Sequence, residues 1–292
     1  MIFLPWGLFT IAPKLPDWRP GASLSKIQAV AQSPAKVNPP ISTAQIVPPP
    51  PQAQDAPDTH PPAVSGGTPT VTDAAEVSFP GWIEFDPGVL KSLERDSLFG
   101  TPFTFKYTAL NNRLQYLLGF DGYVRQDSHT TGMGDTYPGV HYIFLTQEKK
   151  GFDVAGKLIV KIPTATNQIG TGRMDYSGFV LASRDLTKWG LHSDFNAGVT
   201  ALSRGNGPGY DNQVLLSAST TSPITGGRWQ YTNELVYFSP MPGQDYHLTM
   251  MHGLSYAVHR YATYSAAVQV AFHGDIPRYQ LLVAASFNLG KL

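Results

Sequence analysis

The sequence contains no cysteine, which excludes disulfide frameworks, thiolate metal sites and cysteine nucleophiles. Net charge is absent too, since 21 basic side chains balance 21 acidic ones. Nucleic-acid binding would require a basic patch or stripe, and the chain has none. Charged residues make up 14%, against about 25% in a typical soluble domain. Helical periodicity of any length is missing, and the apolar run at 2–12 is too short for a spanning helix. Present instead are 14 Tyr, 15 Phe, 5 Trp and 28 Gly. That balance suits a protein whose outer surface faces lipid.

The N-terminal third has no periodic apolar face. Residues 1–31 form a candidate export signal: the apolar run 2–12, then a small-x-small pattern at Ala29-Val30-Ala31. From 32 to 79 the chain is rich in Pro, Ala, Thr, Ser and Gln, with an unbroken proline run from Pro48 to Pro51. Proline removes backbone donors, so this segment is expected to be a disordered or polyproline II linker.

From residue 80 to 292 the pattern changes to period two. In 189–204, Trp189, Leu191, Phe195 and Val199 face away from His192, Asp194, Asn196 and Thr200. In 278–290, Tyr279, Leu281, Val283, Phe287 and Leu289 alternate with Gln280, Ala284, Ser286 and Asn288. Successive strand side chains point to opposite faces, so each strand has a bulky side and a small or polar side. Strands are expected near 81–91, 101–110, 112–126, 133–147, 152–165, 174–186, 189–204, 210–224, 228–241, 245–259, 261–273 and 278–290. Turn chemistry at Asn111-Asn112, Lys149-Lys150-Gly151, Gly226-Gly227 and Pro242-Gly243 supports the joints. Many of these strands exceed the usual five or six residues of globular sheets and match the roughly 9–11 that a tilted strand needs to cross hydrocarbon. Their bulky faces begin or end with aromatics, as interfacial girdles require. The expected fold is all-β: an antiparallel transmembrane β-barrel of about 12 strands behind a disordered proline-rich N-terminal segment.

Three segments carry a family resemblance. They are Gly132-Met133-Gly134-Asp135 with Gly139, Tyr142 and Phe144; Gly156-Lys157-Leu158 with Val160-Lys161-Ile162-Pro163-Thr164; and Gly170-Thr171-Gly172-Arg173 with Asp175-Tyr176. Over roughly residues 80–292 the chain resembles the outer-membrane transporter family labelled after the MetA pathway of phenol degradation. The resemblance implies a barrel in a Gram-negative outer membrane, associated with breakdown of aromatic compounds, and it supplies no catalytic set. The chain departs from it in the long proline-rich N-terminus and in ending Gly290-Lys291-Leu292 rather than on a terminal aromatic.

By parity, Asp135, Lys157, Lys161, Asp175 and Asp194 fall opposite the bulky faces. A Lys or Arg on the lipid side would cost about 2–4 kcal/mol at the midplane, so these five are the candidate pore-lining residues. They would either stiffen the interior through ion pairs or select solutes at a constriction. Hydrolase chemistry finds weak footing. His192 and Ser193 point to opposite faces, His252 and Ser255 differ in parity, and no Gly-x-Ser-x-Gly elbow is present. No His-Glu-x-x-His spacing occurs, so neither a metal site nor a cofactor is expected. The chain is expected to be a non-enzymatic outer-membrane channel for small, aromatic or hydrophobic solutes. Its partners would be outer-membrane lipid and the solute, with oligomeric state open and part of the N-terminal segment plugging the lumen. The alternative is an adhesive or structural barrel working through its proline-rich arm.

Overall fold

The computed structural model describes residues 70–94, 98–109, 112–126, 130–147, 151–166, 169–204, 208–224, 228–259, 261–274 and 276–292. The candidate export signal, residues 32–69 of the linker and the turn residues Asn111, Lys149, Lys150, Gly226 and Gly227 lie outside them. The strands are β1 (Trp82–Ser92), β2 (Phe99–Thr108), β3 (Leu114–Arg125), β4 (Thr131–Met133), β5 (Thr136–Leu145), β6 (Asp153–Lys161), β7 (Asp175–Leu186), β8 (Leu191–Ser203), β9 (Tyr210–Pro223), β10 (Trp229–Phe238), β11 (His247–His259), β12 (Ala262–His273) and β13 (Tyr279–Lys291).

Apart from β4 and β5, each strand pairs antiparallel with its sequence neighbours, and β1 pairs with β13, so the sheet closes on itself. β4 and β5 lie end to end against β3 and share one stave, which makes twelve staves in all. An even number is usual for bacterial single-chain barrels, and closure leaves no unpaired edge in lipid. The closing seam runs Trp82↔Lys291 to Ser92↔Gln280. The single stave expected over 133–147 is in fact two strands, because Gly134 and Asp135 leave the ladder. There the Gly134 N–H donates to the carbonyls of Asp121 (2.6 Å) and Gly122 (3.1 Å). A Cβ on Gly134 would overlap the Asp121 side chain and backbone, so only glycine lets the two staves approach so closely.

The two faces of the wall differ in chemistry. Outward positions stay exposed, as at Phe195 (58%) and Val180 (58%), whereas Leu181 and Asp194 beside them are buried. Aromatic pairs mark both rims. Trp82–Tyr261 and Trp229–Tyr256 sit at the end where β1 begins, and Phe99–Tyr123, Tyr176–Tyr210 and Tyr237–Tyr246 at the opposite end. Amphipathic rings of this kind settle at the two membrane–water interfaces.

Candidate channel interior

Residues 70–79 belong to the segment expected as linker, yet they lie against the inner wall with defined partners. The Thr72 N–H donates to Glu234, and its hydroxyl donates to Ser217 (2.9 Å). Asp73 pairs with Lys157 at 2.5 Å. The Asn196 amide, oriented to satisfy both groups, accepts from the Asp73 N–H (2.7 Å) and donates to its carbonyl (2.9 Å). The Ala75 N–H donates to Ser183 Oγ (2.7 Å), while its carbonyl faces His141 Nε2 at 3.1 Å. Ser78 donates to Glu84 (2.8 Å) and accepts from Gln115 (3.0 Å). This strap therefore runs from mid-stave to the rim where β1 starts. Backbone groups of Thr72, Asp73 and Ala75 are satisfied by wall side chains, as buried polar groups without strand partners require. The linker reading fails at 70–79 because those partners lie far away in sequence, where no local pattern reveals them.

All five predicted pore-lining residues are buried: Asp135 (1%) at the break, and Lys157 (5%), Lys161 (2%), Asp175 (3%) and Asp194 (6%) on the inner wall. They form two groups. Near the rim opposite the chain's end, Lys161 pairs with Asp175 and donates to Thr171 Oγ1 (2.6 Å). Asp175 Oδ1 accepts from the Ser203 N–H (2.7 Å), and Asp135 Oδ1 from the Ala165 N–H (3.0 Å). Lower in the lumen, Lys157 holds the strap, and Asp194 accepts from Ser183 (2.6 Å) and Ser219 (3.1 Å).

Sequence reasoning missed other buried charges. Lys106 binds Glu84 (2.8 Å) and Asp86 (2.6 Å), and Asp121 accepts from the Tyr137 hydroxyl (2.6 Å). Asp153 and Glu234 are also buried. The i, i+2 spacing of Glu84 and Asp86 was the available signal, and Glu84 stands opposite Lys106 in register. On the described inner wall, carboxylates outnumber the three lysines.

The three segments that carried the family resemblance converge on one corner. Thr166 and Met133 exchange bonds, through Thr166 N–H to Met133 O (2.9 Å) and Met133 N–H to Thr166 Oγ1 (2.9 Å). Ile162 pairs with Thr136 across the break, and the Thr164 and Thr136 hydroxyls meet at 2.7 Å. A Cβ on Gly170 would stand 2.8 Å from Asp135 Oδ2. Residues 162–166 and 169–174 thus fold over the broken stave, with Ile169 fully buried.

Between the strap and the wall formed by β1–β6 and β8–β10 lies a cavity of about 420 Å³, bordered among others by Asp73, Glu84, Lys106, Tyr137, Lys157 and His192. That volume falls within the range of small-molecule sites.

No protein-family model matches the chain, and no curated protein matches it. Solved structures do. An outer-membrane channel from Pseudomonas putida F1 aligns with a TM-score of 0.56 at 12% identity, over 73% of this chain and 97% of that one. The fold is that of outer-membrane channels. The NanC porin aligns at 0.52 with 11% identity, over 71% of this chain and 100% of that one. The KdgM porin in complex with disordered oligogalacturonate aligns at 0.50 with 10% identity, over 70% and 99%. Within this channel fold, the two histidines weighed for hydrolase chemistry have partners other than serine. His192 faces Asp185 and Asp194, and His252 faces Tyr231 and Asn233.

Proposed function

We propose that the chain is a channel of the Gram-negative outer membrane, with a lumen narrowed by its own residues 70–79. The observation that carries this reading is a closed barrel, apolar outside and polar inside, whose strap leaves a cavity of about 420 Å³. Solutes pass between strap and wall, and the passage involves no catalysis. The resemblance to the MetA-pathway family favours aromatic solutes, and Tyr137 and Ile159 on the cavity border give such a ring an apolar surface. The excess of inner-wall carboxylates favours neutral or cationic compounds over aromatic acids, because like charge disfavours entry at low dielectric.

Swelling of proteoliposomes tests this. Arabinose and a phenyl glucoside should enter, the phenyl glucoside faster than cyclohexyl glucoside of similar bulk, while benzoate lags. Swelling no faster than in empty vesicles for every solute would overturn the channel reading. Equal rates for phenyl glucoside and cyclohexyl glucoside would remove the aromatic preference alone.

A further inference from the structure

We propose that Glu76, His192 and Asp194 bind a divalent transition-metal ion of the zinc class, which ties the lumenal strap to β8. One potential ligand atom from each residue lies within 4.8 Å of the others. His192 Nε2 stands 3.0 Å from Asp194 Oδ1 and 3.9 Å from Glu76 Oε2. Ligand atoms about 2.0–2.2 Å from a tetrahedral zinc stand roughly 3.3 Å apart, and the two separations bracket that value.

The surroundings orient these ligands as a metal site requires. The other ring nitrogen, Nδ1, lies 2.7 Å from Asp185 Oδ1. A carboxylate can only accept, so it takes the Nδ1–H and fixes the tautomer. Asp185 is itself held from both sides by Gln147, whose amide nitrogen donates to Asp185 Oδ2 (2.7 Å) and whose oxygen accepts from the Asp185 N–H (2.8 Å). A carboxylate behind the histidine, itself hydrogen-bonded, is the usual outer layer of a metal-bound imidazole. In the neutral ring Nε2 then presents a lone pair to two carboxylate oxygens, acceptor against acceptors. A cation relieves that conflict.

A proton would relieve it too, but three features favour a metal. The ligand atoms come from separate segments, the strap and the wall, and converge on one point. Asp194 is held at that point by Ser183 and Ser219. Glu76 and His192 are only partly covered, so a water could fill a fourth position. One imidazole with two carboxylates suits zinc better than calcium or magnesium, which take oxygen ligands. The sequence offered only the i, i+2 pair His192 and Asp194 on one strand face, because Glu76 lies far away in the chain. The inference does not depend on the channel reading.

The test uses the full chain, refolded in detergent and stripped with EDTA. Titration with Co²⁺, followed by visible absorption, and with Zn²⁺, followed by calorimetry, should show one saturable equivalent that excess Mg²⁺ does not displace. His192→Ala should abolish binding, and Asp185→Asn should weaken it about tenfold or more. Glu76→Gln changes only the strap, so it should weaken binding while the barrel keeps its heat-modifiable migration. Absence of saturable binding, or binding unchanged in His192→Ala, would overturn the proposal and leave His192 as an imidazolium between carboxylates.

Discussion

Along β8, Asp194, Asn196 and Thr200 face inward while Phe195 and Val199 face outward. The same backbone therefore presents two solvents' worth of chemistry, one residue apart. Outward side chains need only be apolar and of suitable size, with aromatics at the rims. Inward side chains are committed to particular partners, as Asp194 is to two serines and Asn196 to the strap backbone. One face is matched to lipid, and the other to particular side-chain partners. Variants that move charge across this boundary sharpen the contrast.

The largest effect is expected inside. Lys161→Met leaves Asp175 buried without its ammonium, and breaking a buried pair from one side costs about 3–5 kcal/mol. Urea unfolding in lipid vesicles should show that loss, and the added change Asp175→Leu should recover part of it. Outside, Val268→Arg places a guanidinium in mid-belt at a cost of about 2–4 kcal/mol by the same assay. Its inward neighbour, Gln269→Arg, should cost clearly less. Gly134→Ala forces the broken stave away from Asp121, and overpacking of that kind costs about 1–3 kcal/mol. Asp73→Asn weakens the strap's bond to Lys157. Asp73 is itself part-exposed and an Asn oxygen still accepts from the buried Lys157 ammonium, so the stability loss should fall below that of Lys161→Met, while conductance rises.

The outer face was largely legible in the sequence. Strand limits such as 210–224 against the observed Tyr210–Pro223 follow from alternation, because each position reports its own face. Parity also places Lys157, Lys161, Asp175 and Asp194 on the inner wall, whereas Asp135 is buried at the break, outside any strand. Their division into two groups was not legible, since it depends on which staves and loops come together. The break at Gly134 was hidden because glycine fits both an uninterrupted strand and a close crossing. The strap was hidden more deeply. Thr72, Asp73 and Ala75 carry no period of their own and are held by residues on β5 to β10.

If this barrel conducts, its strap narrows the path. Single-channel recording in planar bilayers tests conduction and narrowing most directly, comparing the refolded chain with Asp73→Asn. Discrete steps are expected in both, larger or longer-lived in the variant. Folded, heat-modifiable barrels that give no steps in either form would contradict conduction and would favour an anchor for the proline-rich arm.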